Sequence, residues 1–210
     1  MEQMPQTIPQ SEANAISVPQ YSTQLTDKVS LNTLAAVAKR FANSMIVPEM
    51  YQHNEDNCFV ACEMANRMGV SPLIVMQNLY IVKGKPAWSG QACISLIKGT
   101  GEFSPLRFVF VGEEGKLTYG CYIECTRKLD GELLRGSTIT LQMAKDEGWL
   151  DKTGSKWKTM PEQMMQYRAA AFFARIYCPA ALMGLQTTDE VEDVHGVEPE
   201  KSTVIIKLED

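Results

Sequence analysis

Two arginines, Arg168 and Arg175, stand in a segment whose other residues are mostly apolar or small. The run from Pro161 to Cys178 contains no glycine, begins with a proline and is followed by Pro179, which predicts a helix over that run. The arginines are seven residues apart, so they share one helix face and lie about 10 Å from each other along the axis. Charges on such a helix require negative partners, because burying an unpaired charge costs several kcal/mol.

Two kinds of negative partner fit these arginines, and the residues alone leave both open. One is internal ion pairing with the acidic residues that follow the helix, which are Asp189, Glu190, Glu192 and Asp193. The other is a nucleic-acid backbone, because the planar fork of arginine matches phosphate oxygens two at a time. Lys156, Trp157 and Lys158 come just before the helix. Basic residues interleaved with aromatic ones are typical of proteins that bind single-stranded nucleic acid.

The remaining apolar residues of this helix predict one broad buried side. It consists of Met165, Ala169, Ala170, Phe172, Phe173, Ile176 and Tyr177. Such a side is wide enough to pack against a sheet, and the small Ala171 between the arginines leaves room for a close approach.

The composition allows one domain with tails and a basic middle region. The chain has 210 residues, an ordinary apolar content of 45% and a net charge of −5. Residues 80–180 carry 14 basic and 10 acidic side chains, whereas residues 1–79 carry 4 and 7 and residues 181–210 carry 2 and 8. Because electric field and counterion release depend on local charge, a basic groove can bind phosphates within an acidic protein.

The six cysteines and the polar N-terminus favour a cytosolic protein with free thiols. No secretory signal precedes the cysteines, so we predict buried, unpaired thiols. Two Cys-x3-Cys pairs invite a zinc hypothesis, which is disfavoured because no close Cys-x2-Cys pair exists and the two histidines fall in predicted loops. No apolar run approaches the roughly 18 residues that a membrane span needs. We therefore expect no metal, no cofactor and no membrane partner.

Helix and strand patterns alternate in a way that predicts an α+β fold. Capping residues and periodicity predict helices over 31–46, 57–68, from Pro72, from Ser89 to Lys98, and over 140–147. Strands at 79–82 and 86–88 form a small hairpin with Lys83-Gly84-Lys85 at its tip, and strands at 106–111, 116–126 and 133–140 form a three-stranded antiparallel meander. These sheets would pack with the helices, including the long helix near the C-terminus.

The domain organisation that we predict has three parts. Residues 1–28 are rich in glutamine and proline and predict a flexible N-terminal segment. Residues 29–188 form the core, and residues 189–210 form an acidic tail with a short apolar run, Val204-Ile205-Ile206. The tail is interpreted as a solubilising segment, with a docking strand for a partner as the alternative.

Two blocks of the sequence carry a resemblance to a known family. The first is Trp157-Lys158-x-x-Pro161-x-x-Met164-x-x-Tyr167-Arg168-Ala169-Ala170, followed by Ala174-Arg175, Leu182-x-Gly184 and the acidic Glu190-x-Glu192. The second is CFVACEMANRMGVSP over residues 58–72, followed by Leu79-Tyr80 and Gly90-Gln91-Ala92. In this order, with strands between them, they resemble the RecT/Red-beta family of phage single-strand annealing proteins over about residues 31–194.

The resemblance implies a non-catalytic recombination protein of a bacteriophage that acts in the cytoplasm of the bacterial host. The family binds single-stranded DNA without ATP, pairs it with a complementary strand in homologous recombination, and assembles into rings and helical filaments. Its implied partners are single-stranded DNA, the annealed duplex and other copies of the chain. Lambda-type members also meet a 5′-3′ exonuclease and the host single-strand-binding protein through a C-terminal helical domain, so partner recognition is the part of the family picture that transfers least.

The resemblance also implies which residues contact DNA. Arg168 and Arg175 match the basic groove positions of the family on the long helix, and Lys156, Trp157 and Lys158 form the matching Trp-Lys segment. Either Lys83 or Lys85 matches the basic residue of the hairpin. Four residues on the meander are candidates from their charge alone: Arg107, Arg127, Lys128 and Arg135. The sequence departs from the family at Glu162, where the lambda member carries a basic residue, so the groove is expected to be less positive there.

Two other function classes compete with annealing. A nuclease or thiol enzyme is disfavoured, because the sequence offers no paired carboxylate motif in a loop, no glycine-rich phosphate loop and no Cys/His arrangement with suitable spacing. A phage structural or adaptor protein whose arginines form internal ion pairs stays compatible with the composition.

Overall fold

The computed structural model of this chain describes residues 28–194. The predicted N-terminal segment lies outside the described residues except for its last residue. The apolar run Val204-Ile205-Ile206 also lies outside them, together with the rest of the tail after Val194.

Eight α-helices and seven strands make up the described part of the chain, which is an α+β fold as predicted. The helices are α1 (Lys28–Ala42), α2 (Glu55–Met68), α3 (Pro72–Asn78), α4 (Gly90–Gly99), α5 (Leu141–Asp146), α6 (Lys156–Thr159), α7 (Pro161–Tyr177) and α8 (Thr188–Val194). The strands are β1 (Leu79–Val82), β2 (Lys85–Trp88), β3 (Arg107–Val111), β4 (Gly120–Thr126), β5 (Leu133–Arg135), β6 (Ile139–Thr140) and β7 (Gln186–Thr187). Short 3-10 helices occur at Glu49–Tyr51 and Pro179–Leu182.

The small hairpin is confirmed, but it belongs to a three-stranded mixed sheet. β1 and β2 pair antiparallel, with Val82 opposite Lys85 across the tip. β7 adds to β2 in parallel, with Ala87 beside Gln186 and Trp88 beside Thr187. Strand β7 was not predicted, because a two-residue strand carries no periodicity.

The predicted three-stranded meander is wrong in its last strand, and the second sheet has four strands. β4 pairs antiparallel with β3, and both β5 and β6 pair with β4 at different positions along it. The predicted strand 133–140 divides at Gly136, whose N–H donates to Ile123 O at 2.8 Å. Gly136 is buried, and a Cβ there would lie 3.3 Å from the Phe173 ring. A side chain at this position would therefore be in tight contact with α7.

Local hydrogen bonds also move three predicted boundaries. α1 ends at Ala42 instead of residue 46, because Ser44 N donates to Phe41 O at 2.9 Å and Ala42 O accepts from His53 N at 2.7 Å, so the helical pattern does not continue. α2 begins at Glu55 instead of residue 57, because the Asn54 side chain caps the helix and accepts from Asn57 N at 2.9 Å. β4 begins only at Gly120, since the preceding residues 113–119 form successive turns.

α7 lies at the centre of the core. It packs on α4 on one side and on β4 on the other. Met165, Ala169, Ala170 and Phe173 of its predicted apolar side are fully buried, whereas Ile176, also predicted to be buried, is 60% exposed. Ile176 lies in the last turn of α7, next to Tyr177, whose hydroxyl donates to Arg135 O of β5 at 3.1 Å.

Contact between α4 and α7 generates a prediction about Gly90. A Cβ on Gly90 would lie 2.8 Å from the Cβ of Tyr167, closer than side chains approach. We expect Gly90→Ala to lower the free energy of unfolding by about 1–3 kcal/mol, because α4 must move away from α7. Gly99→Ala in the same helix is the control, since a Cβ there has nothing within 4 Å, and it should be neutral or slightly stabilising. Urea unfolding of both variants checks this, and equal stabilities would contradict it.

Candidate nucleic-acid interface

The arginine face of α7 meets the acidic helix α8. Arg175, whose side chain is 39% exposed, forms an ion pair with Glu190, whose side chain is only 6% exposed. Glu190 is one of the four acidic residues that the sequence offered as internal partners. For Arg175 the structure therefore realises the internal pairing, while part of the guanidinium stays accessible.

Glu190 is held in place by the beginning of its own helix. Its Oε2 accepts a hydrogen bond from Thr187 N at 2.8 Å and another from Thr187 Oγ1 at 2.8 Å. A glutamate that reaches back to the N–H three residues earlier forms a capping box, which satisfies a backbone donor at the N-terminus of the helix. All three contacts use Oε2, and Oε1 is buried without a hydrogen-bond partner among the described residues. The hydrogen bonds from Thr187 thus hold the Glu190 carboxylate in position independently of its ion pair with Arg175.

Arg168 lies beneath a tryptophan from the segment that precedes α6. It is 4% exposed, and its Cζ lies 4.1 Å from the ring centroid of Trp149. Trp149 in turn packs on Trp157, with ring centroids 5.1 Å apart, and Trp157 is 5% exposed. The Arg168 guanidinium is therefore buried against the face of one ring, that of Trp149, in a cation–π contact. Arg168 and Trp157, both predicted to contact DNA, have almost no accessible surface.

A small cavity of about 180 Å³ opens beside this stack. Lys152, Lys156, Arg168, Asp189 and Glu192 contribute its charged lining. Basic residues from the segment 152–156 and from α7 thus line the same cavity as acidic residues of α8. Lys156 and Lys158 themselves are exposed on α6.

A second group of predicted residues lies on the outer face of the four-stranded sheet. Arg107, Glu124 and Arg135 are directly opposite one another on β3, β4 and β5. Arg107 Nη1 lies 3.4 Å from Glu124 Oε1, and the Arg107 side chain is 75% exposed. Arg135 Cζ lies 3.9 Å from the ring centroid of Tyr122, also on this face. Two exposed guanidiniums and an aromatic ring therefore share one surface with a single carboxylate between them.

The other basic candidates lie on two turns. Arg127 forms ion pairs with Asp130, at 2.6 Å, and with Glu132 within the β4–β5 turn. The hydrogen bond from Arg127 holds the pKa of Asp130 below its usual value. Lys128 is exposed beside Arg127. Lys83 and Lys85 are exposed at the tip of the hairpin.

A wide groove lies between the N-terminus of α7 and the turn that connects β3 to β4. The Tyr119 hydroxyl donates a 2.6 Å hydrogen bond to Glu162 Oε1. This bond raises the pKa of Tyr119 to about 12, because the neutral phenol donates to a carboxylate. The Tyr119 ring stacks on Phe110, with ring centroids 5.7 Å apart. Glu162 thus lies beside the pair of Tyr119 and Phe110. No pattern in the sequence predicted this contact.

The cysteines are buried free thiols, as predicted. Burial raises the pKa of Cys93 to about 12 and that of Cys62 and Cys178 to about 11, so these thiols stay protonated at neutral pH. In residues 28–194 no three His, Cys, Asp or Glu side chains come together as a metal site. In the same residues no single helix is long and apolar enough to cross a membrane. Helices α2 and α3 reach the necessary length and hydropathy only when they are taken together, and they are bent by 115° relative to each other.

Sequence reasoning missed Trp149, Tyr119 and Tyr122. Trp149 follows a glycine in a segment interpreted as a loop, and a tryptophan in a loop is itself a signal of a buried contact. No comparable signal points to Tyr119 or Tyr122, because their contacts depend on strand register and on how α7 crosses the sheet.

Comparison with known proteins gives one match. A family model described as "RecT family" matches residues 28–205. No curated protein and no solved structure matches the chain significantly.

The pair between α7 and α8 generates a second prediction. We expect Arg175→Ala to lower the free energy of unfolding by about 1–3 kcal/mol, less than the 3–5 kcal/mol of a fully buried pair because Arg175 is partly exposed. The variant leaves the buried Glu190 carboxylate without its cation. Arg67→Ala is the control, since the exposed Arg67 pairs with Glu63 on the surface and should cost at most about 1 kcal/mol.

A double-mutant cycle isolates the interaction of Arg175 with Glu190 from other effects. Unfolding in urea is measured for Arg175→Ala, Glu190→Gln and the double variant. A coupling energy near zero would show that the pair does not hold α8 on α7.

Proposed function

The chain belongs to the RecT family, and from that membership we propose that it binds single-stranded DNA and anneals it to a complementary strand during phage recombination. The match covers most of the chain, and it is the observation that carries the proposal. In this proposal the protein needs no ATP and performs no covalent chemistry. It orders one strand by its backbone, and base pairing with the second strand supplies the specificity.

Accessible cations support a phosphate-binding surface. The basic candidates with exposed side chains are Lys83, Lys85, Arg107, Lys128, Arg135, Lys156 and Lys158. We propose that these residues hold the DNA backbone, because lysine and arginine neutralise phosphates and release counterions regardless of sequence. Arg127 contributes less in this proposal, since Asp130 and Glu132 already engage its guanidinium.

The buried candidates take a different part in the proposal. Arg168 and Trp157 are too buried to reach a phosphate in the described conformation, so we assign them to holding α6 and its lysines in position. Arg175 is partly exposed and can add a phosphate contact on its accessible side while Glu190 keeps the other side. This division separates affinity, which depends on the exposed cations, from the structural support beneath them.

Assembly and partners are proposed on the family membership alone. We propose that copies of the chain assemble along the strand into rings or helical filaments, which raises the effective concentration of successive contacts. The further partners that we propose are a 5′-3′ exonuclease and the host single-strand-binding protein, and the proposed location is the cytoplasm of a bacterial host.

One observation favours the competing adaptor hypothesis. The Arg175–Glu190 pair is the internal pairing that this hypothesis requires of the arginines. Arg107, with Glu124, and Arg127, with Asp130 and Glu132, are also paired internally. We retain annealing as the proposed function because the family membership supports it.

An annealing assay tests the proposal directly. The full chain is mixed with a labelled oligonucleotide and its complement, without nucleotide or metal, and duplex formation is followed over time. We expect salt-sensitive binding and annealing faster than in the absence of protein. A chain that neither binds the strand nor accelerates annealing is not an annealing protein, and the adaptor hypothesis then stands.

Single substitutions then locate the phosphate contacts. We expect Arg107→Ala, Lys158→Ala and Lys83→Ala each to weaken binding, and to reduce the slope of log affinity against log salt by about 1 if one phosphate contact is lost. Lys39→Ala on α1 is the control, because Lys39 lies outside the proposed surface and already pairs with Glu55 at 3.8 Å. Equal slopes in all four variants would exclude the proposed surface.

A further inference from the structure

The groove near the N-terminus of α7 differs in chemistry from the basic surfaces. Its volume is about 860 Å³. Its lining consists of Glu114, Gly115, Tyr119, Leu141, Thr159, Met160, Pro161, Glu162, Gln163 and Gln166. The lining therefore contains two carboxylates, two amides and an aromatic ring, and none of these ten residues is basic.

This lining suits a nucleobase and opposes a phosphate. Two carboxylates repel a phosphate, and the lining holds no cation to offset them. Tyr119, stacked on Phe110, offers a flat ring of the kind on which unpaired bases stack. Met160, 41% exposed, adds accessible apolar surface. Carboxylates and amides are the groups that recognise base edges, because a carboxylate accepts from the amino group of cytosine and an amide pairs with adenine.

Glu162 is prepared to act as an acceptor. Tyr119 donates to Oε1, which fixes the carboxylate at the wall of the groove. An ionised carboxylate has two oxygens and about four lone-pair sites, so it can accept from an amino group while it keeps the bond from tyrosine.

Two lysines are neighbours in sequence of residues in this lining. Lys116 follows Gly115 and Lys158 precedes Thr159, so each lies one residue, about 3.8 Å between Cα atoms, from a lining residue. Both lysines are exposed. A strand whose phosphates are held by the flanking lysines would cross the groove with its bases directed towards the acidic lining.

We propose that this groove is a base-contacting subsite, in which Tyr119 stacks on an unpaired base and Glu162 accepts a hydrogen bond from an exocyclic amino group. The inference rests on the proposed function, since it needs single-stranded DNA as the ligand. It predicts that binding has a base preference: strands rich in cytosine bind more tightly than strands rich in thymine, because thymine presents a carbonyl where cytosine presents an amino group.

The test compares fluorescently labelled oligo(dC) and oligo(dT) of equal length at neutral pH and fixed salt, with anisotropy as the readout. Both are pyrimidine strands, so they differ chiefly in the group that faces Glu162. We expect the wild-type chain to bind oligo(dC) about fivefold more tightly, a modest value for one partly exposed contact. Glu162→Gln should bring the ratio close to one, because an amide can donate to thymine as well as accept from cytosine. Glu147→Gln, an exposed glutamate outside the groove, should leave the ratio unchanged.

A second pair of variants tests stacking. Tyr119→Ala should weaken binding of both strands about tenfold without changing the salt slope, since stacking involves no counterion release. Tyr119→Phe keeps the ring and should retain the wild-type affinity for oligo(dT), which separates loss of stacking from loss of folding. It removes the hydroxyl that fixes Glu162, so the preference for oligo(dC) should fall.

The outcomes distinguish the inference from the proposed function. Salt-sensitive binding with equal affinity for both strands, unchanged by Glu162→Gln, overturns the base-contacting subsite and leaves annealing intact. A base preference that survives Glu162→Gln also overturns it, because the preference then arises elsewhere. Absence of binding to either strand overturns the proposed function and the inference together.

Discussion

The contact between the arginine face of α7 and the acidic helix α8 is the constraint on which the C-terminal half of the fold depends. Arg175 needs a negative partner, and Glu190 reaches it only because the capping box of α8 fixes the carboxylate. α8 contacts β1, β2 and β7, so its position also bears on the mixed sheet. The ion pair thus links α7 to α8, and α8 also buries Val191 and lies beside β7, which pairs with β2.

Close packing around α7 is the other constraint. Ala169, Ala170, Ala171 and Ala174 are fully buried, so neighbouring elements approach the helix backbone closely. Gly90 and Gly136 stand where α4 and the strand region meet α7. A side chain at Gly90 would clash with Tyr167, and one at Gly136 would be in tight contact with Phe173. The exposed cations are carried by elements that surround this closely packed helix.

Much of the secondary structure could be predicted from local chemistry. Gly69 adopts the left-handed conformation and ends α2, Ser89 caps α4, and Pro161 starts α7. The candidate site was less predictable. The sequence indicated that Arg168 and Arg175 need partners. It could not show whether those partners are internal, as Trp149 and Glu190 are, or the phosphates of a nucleic acid. The stacking of Arg168 on Trp149 depends on how the segment before α6 folds back over α7. The periodicity of the sequence does not predict that path of the chain.

By itself the sequence determined the helices, the hairpin, the burial of the thiols and the membership of the RecT family, because capping, periodicity and ordered motifs are local or colinear properties of the chain. Only the tertiary structure decided which charges are satisfied internally and which stay accessible. The row of Arg107, Glu124 and Arg135 follows from strand register, and the bond between Tyr119 and Glu162 follows from the crossing of α7 over the sheet. Both bring together residues that are far apart in sequence, and their energies depend on distance and burial, which a linear pattern does not contain.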